Sequence, residues 1–386
     1  VSDDRTATRG ALLDAVERVR PIVAAGADEA EQLRTLPPAT VAVLRDTGLL
    51  GLKLPAVLGG AEADPVTQID VIEALTAIDA SAGWCLMVGA TTGALPGVFL
   101  GDEAVAAIFP GGVMPLAAGC YMPTGHAVPA PGGFRVSGRW AFASGIRHAA
   151  WVSGTAWVVR DGARTAERRV FVVRTGEVEI HDTWHVAGLR GTGSCDFSVH
   201  DHFVPETFTW DIERAVPRRG GALYRLGLPG FVTNEHAAFA LGVARRALDA
   251  VRDLAATKTR GLRPSPVAGR ATFQRFLGQA ELQLRAARAL AIELNEAAWT
   301  TVGVGDTLTA RQHAELRGAA VLATETALAI TTAAFRYAGG SALYETSVLQ
   351  RCLRDLNAGA QHFMVSDSAY EGLGQLLLGL PGEPMA

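Results

Sequence analysis

The order in which hydrophobic periodicities succeed one another restricts the fold of this chain more than any motif does. From residue 9 to about 110, apolar residues recur at helical spacing. Leu12, Leu13, Val16, Val19 and Ile22 form one such set, and Val41, Leu44 and Leu49 a second, before the turn-rich stretch KLPAVLGGAEADP. Ile69, Val71, Ile72, Leu75 and Ile78 form a third, with a period near 3.6 rather than 2. Asp79 and Ser81 can cap a nearly uncharged helix starting at about Ala82. Between 115 and 215 the pattern changes to short runs rich in Val, Phe and Trp, punctuated by Gly and Pro, as in GGFRVSGRWAFAS, WVSGTAWVV and CDFSVHDHFVP. From about Gly220 the helical period returns in Phe231–Thr257, Gly269–Val302, Thr309–Ala338 and Leu343–Gly372.

Helices, then strands, then helices predict an α+β chain that is mostly α. The expected parts are an N-terminal helical domain (1–114), a central β-barrel-like domain (115–215) and a C-terminal four-helix bundle (216–386). A β-domain held between two helical ones leaves a cleft where all three meet, a favoured place for a large cofactor.

Composition narrows the function classes. With 35 basic and 39 acidic residues the net charge is -4, which does not suggest a nucleic-acid scaffold. Cys85, Cys120, Cys195 and Cys352 lie far apart with no CxxC pair, which argues against a disulfide framework or zinc knuckle and predicts a reducing, cytoplasmic setting. The polar start VSDDRTATRG carries no signal-peptide block, and no long apolar run reads as a membrane span. GxGxxG after a strand, GxxxxGK[ST], HExxH and GxSxG are all missing. His200 and His202 form an HxH pair on a predicted strand, but two ligands without a third make no convincing metal site, so no metal is expected.

Several segments carry candidate chemistry. In Arg139-Trp140-Ala141-Phe142-Ala143-Ser144-Gly145, aromatics flank a small hydroxyl at the end of a strand. That pattern suits a wall for a planar heteroaromatic ring, or simply a strand entering a turn. Gly188-Leu189-Arg190-Gly191-Thr192-Gly193-Ser194 is a small-residue loop rich in backbone donors, able to approach a ligand or merely to turn the chain. Gly339 and Gly340 end a predicted helix, as a C-cap or as a contact for a phosphate or adenosine. His362, in weakly polar surroundings, reads either as a core residue or as a general acid/base tuned by burial.

Taken with LRDTGLLGLKLPAVLGGAEADP, VIEALTAIDASAGW and AGGSALYETSVLQRCLRDLNA, these segments resemble the acyl-CoA dehydrogenase fold family over nearly the whole chain. In many dehydrogenases of that family a Glu removes the substrate proton, eight residues after the Asp of an RD pair. Here the residue eight beyond Asp355 is Phe363, preceded by His362; Tyr370-Glu371-Gly372 follows seven residues later. Glu235, on an earlier helix, is the other carboxylate a dehydrogenase would use.

His362, RWAFASG and HVAGLRGTGS instead resemble the two-component, reduced-flavin monooxygenases built on this fold (the group D hydroxylases). The resemblance implies FADH2, or FMNH2, delivered by a separate NAD(P)H-flavin reductase. It implies O2 activation through a flavin C4a-hydroperoxide and hydroxylation of a bulky, apolar, aromatic metabolite, indole- or phenol-like. It implies a homotetramer or dimer of dimers, with no nucleic-acid or membrane partner. Ser144 is then the hydroxyl near flavin N5, and His362 the group that deprotonates the substrate or positions the peroxide. Trp140, Ala143 and Ser144 would border the isoalloxazine, and Thr192, Gly193 and Ser194 the ring or substrate mouth. Arg270 would reach the diphosphate of a flavin in a neighbouring subunit, and Gly339 and Gly340 the adenosine. Trp84, Thr91, Thr92, Cys120 and Phe363 are the candidate substrate contacts. Several aromatic hydroxylases of this kind carry a second His after the GW motif; here Thr91 and Thr92 stand there, which suggests an indole rather than a catechol-like phenol. The competing readings are an acyl-CoA dehydrogenase using Glu235 or Glu371, and a flavin-free scaffold of the same fold.

Overall fold

A computed structural model describes residues 2–260 and 265–380. The N-terminal layer holds five helices: α1 (Ser2–Leu33), α2 (Pro38–Asp46), α3 (Pro65–Ile78), α4 (Ala80–Phe99) and α5 (Asp102–Ile108). The stripe of α1 runs through Leu12, Val16, Val19 and Val23, so Ile22 is exposed and its neighbour Val23 takes the core position expected of it. Asp64 caps α3 by accepting from the backbone N–H of Val66 (3.1 Å) and Thr67 (3.2 Å). Asp79 caps α4 by accepting from Ala82 N–H (2.8 Å), whereas Ser81 is buried inside the helix rather than capping it. Among the described residues, two helical stretches, Ala80–Phe99 and Ala310–Leu343, are long and apolar enough to cross a bilayer by length and composition alone. In α4, 78% of that apolar window is buried against protein, which accounts for its lack of charge as core packing.

A seven-stranded sheet follows, with strands β1 (Ala117–Ala130), β2 (Gly133–Ala143), β3 (Trp151–Arg160), β4 (Ala163–Arg174), β5 (Glu179–His181), β6 (Cys195–Pro205) and β7 (Thr209–Asp211). Their order is β5-β6-β2-β1-β3-β4-β7, antiparallel except for the parallel pair β1 and β3. One face builds a core from Trp140, Phe171, Phe197, Val136 and Val152. His200 and His202 do not converge: Asp201 between them is left-handed (φ 46°), and they approach Glu179 and Glu177 respectively.

The C-terminal layer contains α6 (Gly227–Thr257), α7 (Ala271–Gly303), α8 (Ala310–Ala338), α9 (Val348–Gly359) and α10 (Ser368–Leu377). Thr309 and Gln312 form a capping box at the start of α8. The single helix expected over Leu343–Gly372 is two helices with a break between them. Gly359 ends α9 against Phe239 and Trp84, so close that a Cβ there would collide with the Phe239 ring. His362 then turns extended (φ −72°, ψ 136°) and starts a short 3-10 turn, Phe363–Val365. That break lifts His362 off a helix face and turns it towards α4 and α6.

Candidate active site

Strand register brings the two small-residue segments together. Ala143 at the end of β2 pairs with Cys195 at the start of β6, so Ser144 and Ser194, one step beyond the ladder, face each other. Gly145 N–H donates to the Thr192 carbonyl (2.9 Å), which fastens the two turns. The Ser144 and Ser194 hydroxyls are 2.7 Å apart, and Ser194 lies 2.6 Å from the Thr192 hydroxyl. Thr192 Oγ1 donates to the Leu189 carbonyl (2.8 Å), and Trp84 Nε1 donates to Ser144 Oγ (3.1 Å).

The Leu189 carbonyl also accepts from the backbone N–H of Thr192 (3.1 Å), and only one arrangement of the hydroxyl protons makes all of these bonds at once. An indole N–H can only donate, a carbonyl can only accept, and each hydroxyl has one proton to give. Thr192 gives its proton to Leu189, so Ser194 gives its own to Thr192 and Ser144 gives its own to Ser194. The buried chain runs one way, Trp84 to Ser144 to Ser194 to Thr192 to Leu189, and leaves Ser144 Oγ with one uncommitted lone pair.

The RD pair of α9 holds the far end of this chain. Asp355 Oδ1 accepts from Leu189 N–H (2.7 Å), and Arg354 donates to the Ala187 carbonyl while pairing with Glu31 at 2.7 Å. Gly188 lies flat on α9, where a Cβ would collide with the Arg354 carbonyl. Leu189 is left-handed (φ 54°), and its carbonyl also accepts from Trp184 Nε1 (3.0 Å). Burial pushes the Asp355 carboxyl up to about 7.

Trp84 also carries the other half of the site. Its ring centroid is 6.0 Å from His362 and 5.7 Å from His236, both edge-on, and the two imidazoles stack with centroids 4.2 Å apart. His362 Nδ1 accepts from Met364 N–H (3.3 Å), so the neutral tautomer carries its proton on Nε2. Burial pulls His362 down to about 4 and holds His236 well below the usual imidazole range, so both are neutral at pH 7. Phe363 is exposed beside His362, with ring centroids 4.9 Å apart. Sequence reasoning missed His236. It stopped at Glu235, although the two residues diverge by about 100° around a helix and present different faces.

The two candidate carboxylates stand differently, one buried and paired and the other in solvent. Glu235 forms a buried ion pair with Lys53 and accepts from Thr91 Oγ1 (2.5 Å). Lys53 also donates to Thr91 (3.0 Å) and the Phe231 carbonyl (2.5 Å), and sits 4.1 Å from the Phe231 ring centroid. Glu371 is exposed on α10. The hydroxyl protons of Thr91 and Thr92 are committed as well, Thr91 to Glu235 and Thr92 to the carbonyls of Val88 (2.8 Å) and Ala117 (3.0 Å).

Other expected ligand contacts lie elsewhere. Trp140 is wholly buried, stacked on Phe197 at 5.2 Å with its N–H given to the Thr155 carbonyl (2.8 Å). Its ring belongs to the sheet core, because strand alternation turns position 140 inward. Ala143 is equally buried. The outward aromatic of that segment is Phe142, 70% exposed, left-handed (φ 62°) and edge-on to Trp184 at 6.2 Å. Cys120 is partly buried on β1, at the edge of the sheet core. Arg270 caps α7 beside Ser265, and Gly339 and Gly340 close α8, where Lys258 donates to the Ala338 carbonyl (2.6 Å).

Comparison with known proteins matches this architecture to the acyl-CoA dehydrogenase N-terminal domain over residues 5–109 and the acyl-CoA dehydrogenase C-terminal domain over residues 235–367. An indole-3-acetate monooxygenase of Pseudomonas putida is 30% identical over 338 residues, 87% of this chain and 86% of that protein. The chain belongs to the flavin-dependent monooxygenase branch of the acyl-CoA dehydrogenase family. Two solved members of that branch superpose over almost their full lengths. XiaF from Streptomyces sp., in complex with FADH2 and glycerol, has a TM-score of 0.90 and 26% identity, covering 100% of this chain and 99% of XiaF. The HsaA monooxygenase of M. tuberculosis has a TM-score of 0.88 and 25% identity, covering 97% and 99%.

Proposed function

We propose that this chain is the oxygenase component of a two-component monooxygenase. It takes reduced FAD, with FMN as the smaller alternative, from a separate NAD(P)H-dependent reductase and hydroxylates a bulky aromatic metabolite, indole- or phenol-like. One observation carries this reading. Trp84 joins an oriented hydroxyl chain ending at Ser144 to a neutral imidazole pair, while both carboxylates a dehydrogenase would use are paired or exposed.

The groups present suit a flavin: a buried hydroxyl with a spare lone pair and the exposed Phe142 beside Trp184. When bound, reduced flavin supplies the activation of O2 and the transfer of one oxygen atom. The protein's own work is to bind, to exclude water and to hold protons in place. An imidazole whose pKa lies near 4 is a feeble base at neutral pH. The Nε2–H of His362 acts instead as a fixed donor that positions an oxygen atom. Of the two roles left open by the sequence, deprotonating or positioning, the geometry supports positioning. His236 makes no side-chain hydrogen bond to a described residue and is the neutral acceptor available to a substrate O–H or N–H.

The test supplies NAD(P)H, a flavin reductase, FAD, O2 and an indole or phenol, and follows oxygen and product. One O2 should be consumed per hydroxylated product. His362→Ala should lower hydroxylation by roughly 10²-fold or more, as loss of one preorganised donor does, with flavin affinity little changed, and His362→Gln, whose amide N–H can replace Nε2–H, should recover part of it. Full turnover by His362→Ala removes His362 from the chemistry. Anaerobic bleaching of the flavin-loaded protein by an acyl-CoA would replace the whole reading with a dehydrogenase.

A further inference from the structure

The one-way hydroxyl chain has a consequence for which redox state of a ligand it accepts. The proton of Ser144 is spent on Ser194 (2.7 Å), that of Ser194 on Thr192 (2.6 Å), and that of Thr192 on the Leu189 carbonyl (2.8 Å). Ser194 and Thr192 are buried behind Ser144, so water does not supply them with alternative partners. The acceptor at the end is itself held: Asp355 fixes Leu189 N–H from α9 and Trp184 Nε1 binds the same carbonyl. To anything outside the chain, Ser144 therefore offers an acceptor and no donor.

We propose that Ser194 and Thr192, acting through Ser144, are specificity-determining residues that make this site prefer the reduced flavin to the oxidised one. The inference rests on the flavin reading above. Reduced flavin carries a hydrogen on N5 and can donate it to the spare lone pair of Ser144. Oxidised flavin presents a bare N5 lone pair, and lone pair faces lone pair. To serve oxidised flavin the whole chain must reverse, with Thr192 donating to Ser194, Ser194 to Ser144, and Ser144 outward. Reversal gives up the bond from Thr192 to Leu189, so the oxidised complex is one hydrogen bond poorer. A net hydrogen bond corresponds to roughly three- to tenfold in affinity. An oxygenase that must capture reduced flavin and release the oxidised product benefits from that sign of preference.

The experiment measures dissociation constants for FAD and for anaerobically photoreduced FAD with the wild-type protein and three variants. Thr192→Val removes the terminal proton and acceptor while keeping shape, so reversal no longer sacrifices a bond. Ser194→Ala frees the Ser144 proton outright. In both, the ratio of oxidised to reduced dissociation constants should fall roughly three- to tenfold from the wild-type ratio. Equivalently, the midpoint potential of bound flavin should drop by about 15–30 mV, at about 30 mV per tenfold for two electrons. A general packing defect would weaken both redox states together and leave the ratio alone. Ser144→Ala separates the two layers of the argument. If it shifts the ratio while Thr192→Val and Ser194→Ala do not, the directional chain is overturned and the Ser144 contact stands. If none of the three shifts it, Ser144 does not meet N5 and both fall.

Discussion

The buried pair Lys53–Glu235 offers the most direct way to separate structural from reactive carboxylates in this site. Side-chain exposure is 0% for Lys53 and 4% for Glu235, so neither charge is compensated by water. Burial pushes the Glu235 carboxyl up and the Lys53 ammonium down, each towards its neutral form, and their mutual attraction opposes both shifts. Lys53→Met leaves Glu235 with Thr91 alone, and removing one member of a buried pair costs about 3–5 kcal/mol. Against a total stability of roughly 5–15 kcal/mol, that is a large fraction. Glu235→Gln costs less, because Lys53 keeps Thr91, the Phe231 carbonyl and the Phe231 ring. The double variant Lys53→Met/Glu235→Gln buries no charge and should be more stable than the summed single effects by about 2 kcal/mol or more.

Urea unfolding of the four proteins checks this. The deficit of Lys53→Met should also depend on pH. The carboxyl of Glu235 is raised above its unfolded value of 4.5, so the stability it contributes is present below that value and lost as pH rises through the folded one. The variant should therefore be closer to wild type at pH 5 than at pH 8. Hydroxylation by the folded double variant should survive, since neither residue serves as the base. Strict additivity of the single effects refutes the coupling argument. A well-folded Glu235→Gln protein with wild-type stability and no turnover would show that the carboxylate reacts after all.

Two further outcomes follow from the same geometry. The depressed His362 binds its proton near 4 in the folded protein and 6.5 unfolded, so its contribution is present above 6.5 and lost as pH falls towards 4, worth ~3 kcal/mol at 1.36 kcal/mol per unit. His362→Gln should flatten the stability profile between pH 4 and 6.5, and a profile as steep as the wild type's would contradict the burial assigned to the imidazole. At the clamp on α9, Asp355→Leu strands the Leu189 N–H and should cost about 1–3 kcal/mol and weaken reduced-flavin binding, whereas Asp355→Asn keeps an acceptor. Because the Asp355 carboxyl is raised from 3.8 to about 7, its contribution is lost as pH rises through 7, so Asp355→Asn should compare best with wild type above pH 7. Melting temperatures from pH 5 to 9 decide this, and equal losses for both variants would sink the clamp.

The features legible before folding are those written in local periodicity and in short strings. The change from a period of 3.6 to short Val- and Phe-rich runs and back gives the layer order, because side-chain direction repeats with the backbone geometry of each element. RWAFASG, GLRGTGS and LRDLNA carry the family resemblance, and Ser144, Thr192, Ser194 and His362 come from those strings and the line that follows them. Which of these residues meet depends on how the layers pack. Trp140 and Phe142 stand two apart on one strand, yet a left-handed residue at 142 leaves one in the core and turns the other outward. His236 enters the site from a helix that carries no such string, and Glu235 leaves it because Lys53, 182 positions earlier, claims the carboxylate. The direction of the hydroxyl chain depends on Trp84 at one end and Leu189 at the other. A proton's position is set by all of its neighbours at once, and those neighbours come together only when the three layers close on each other.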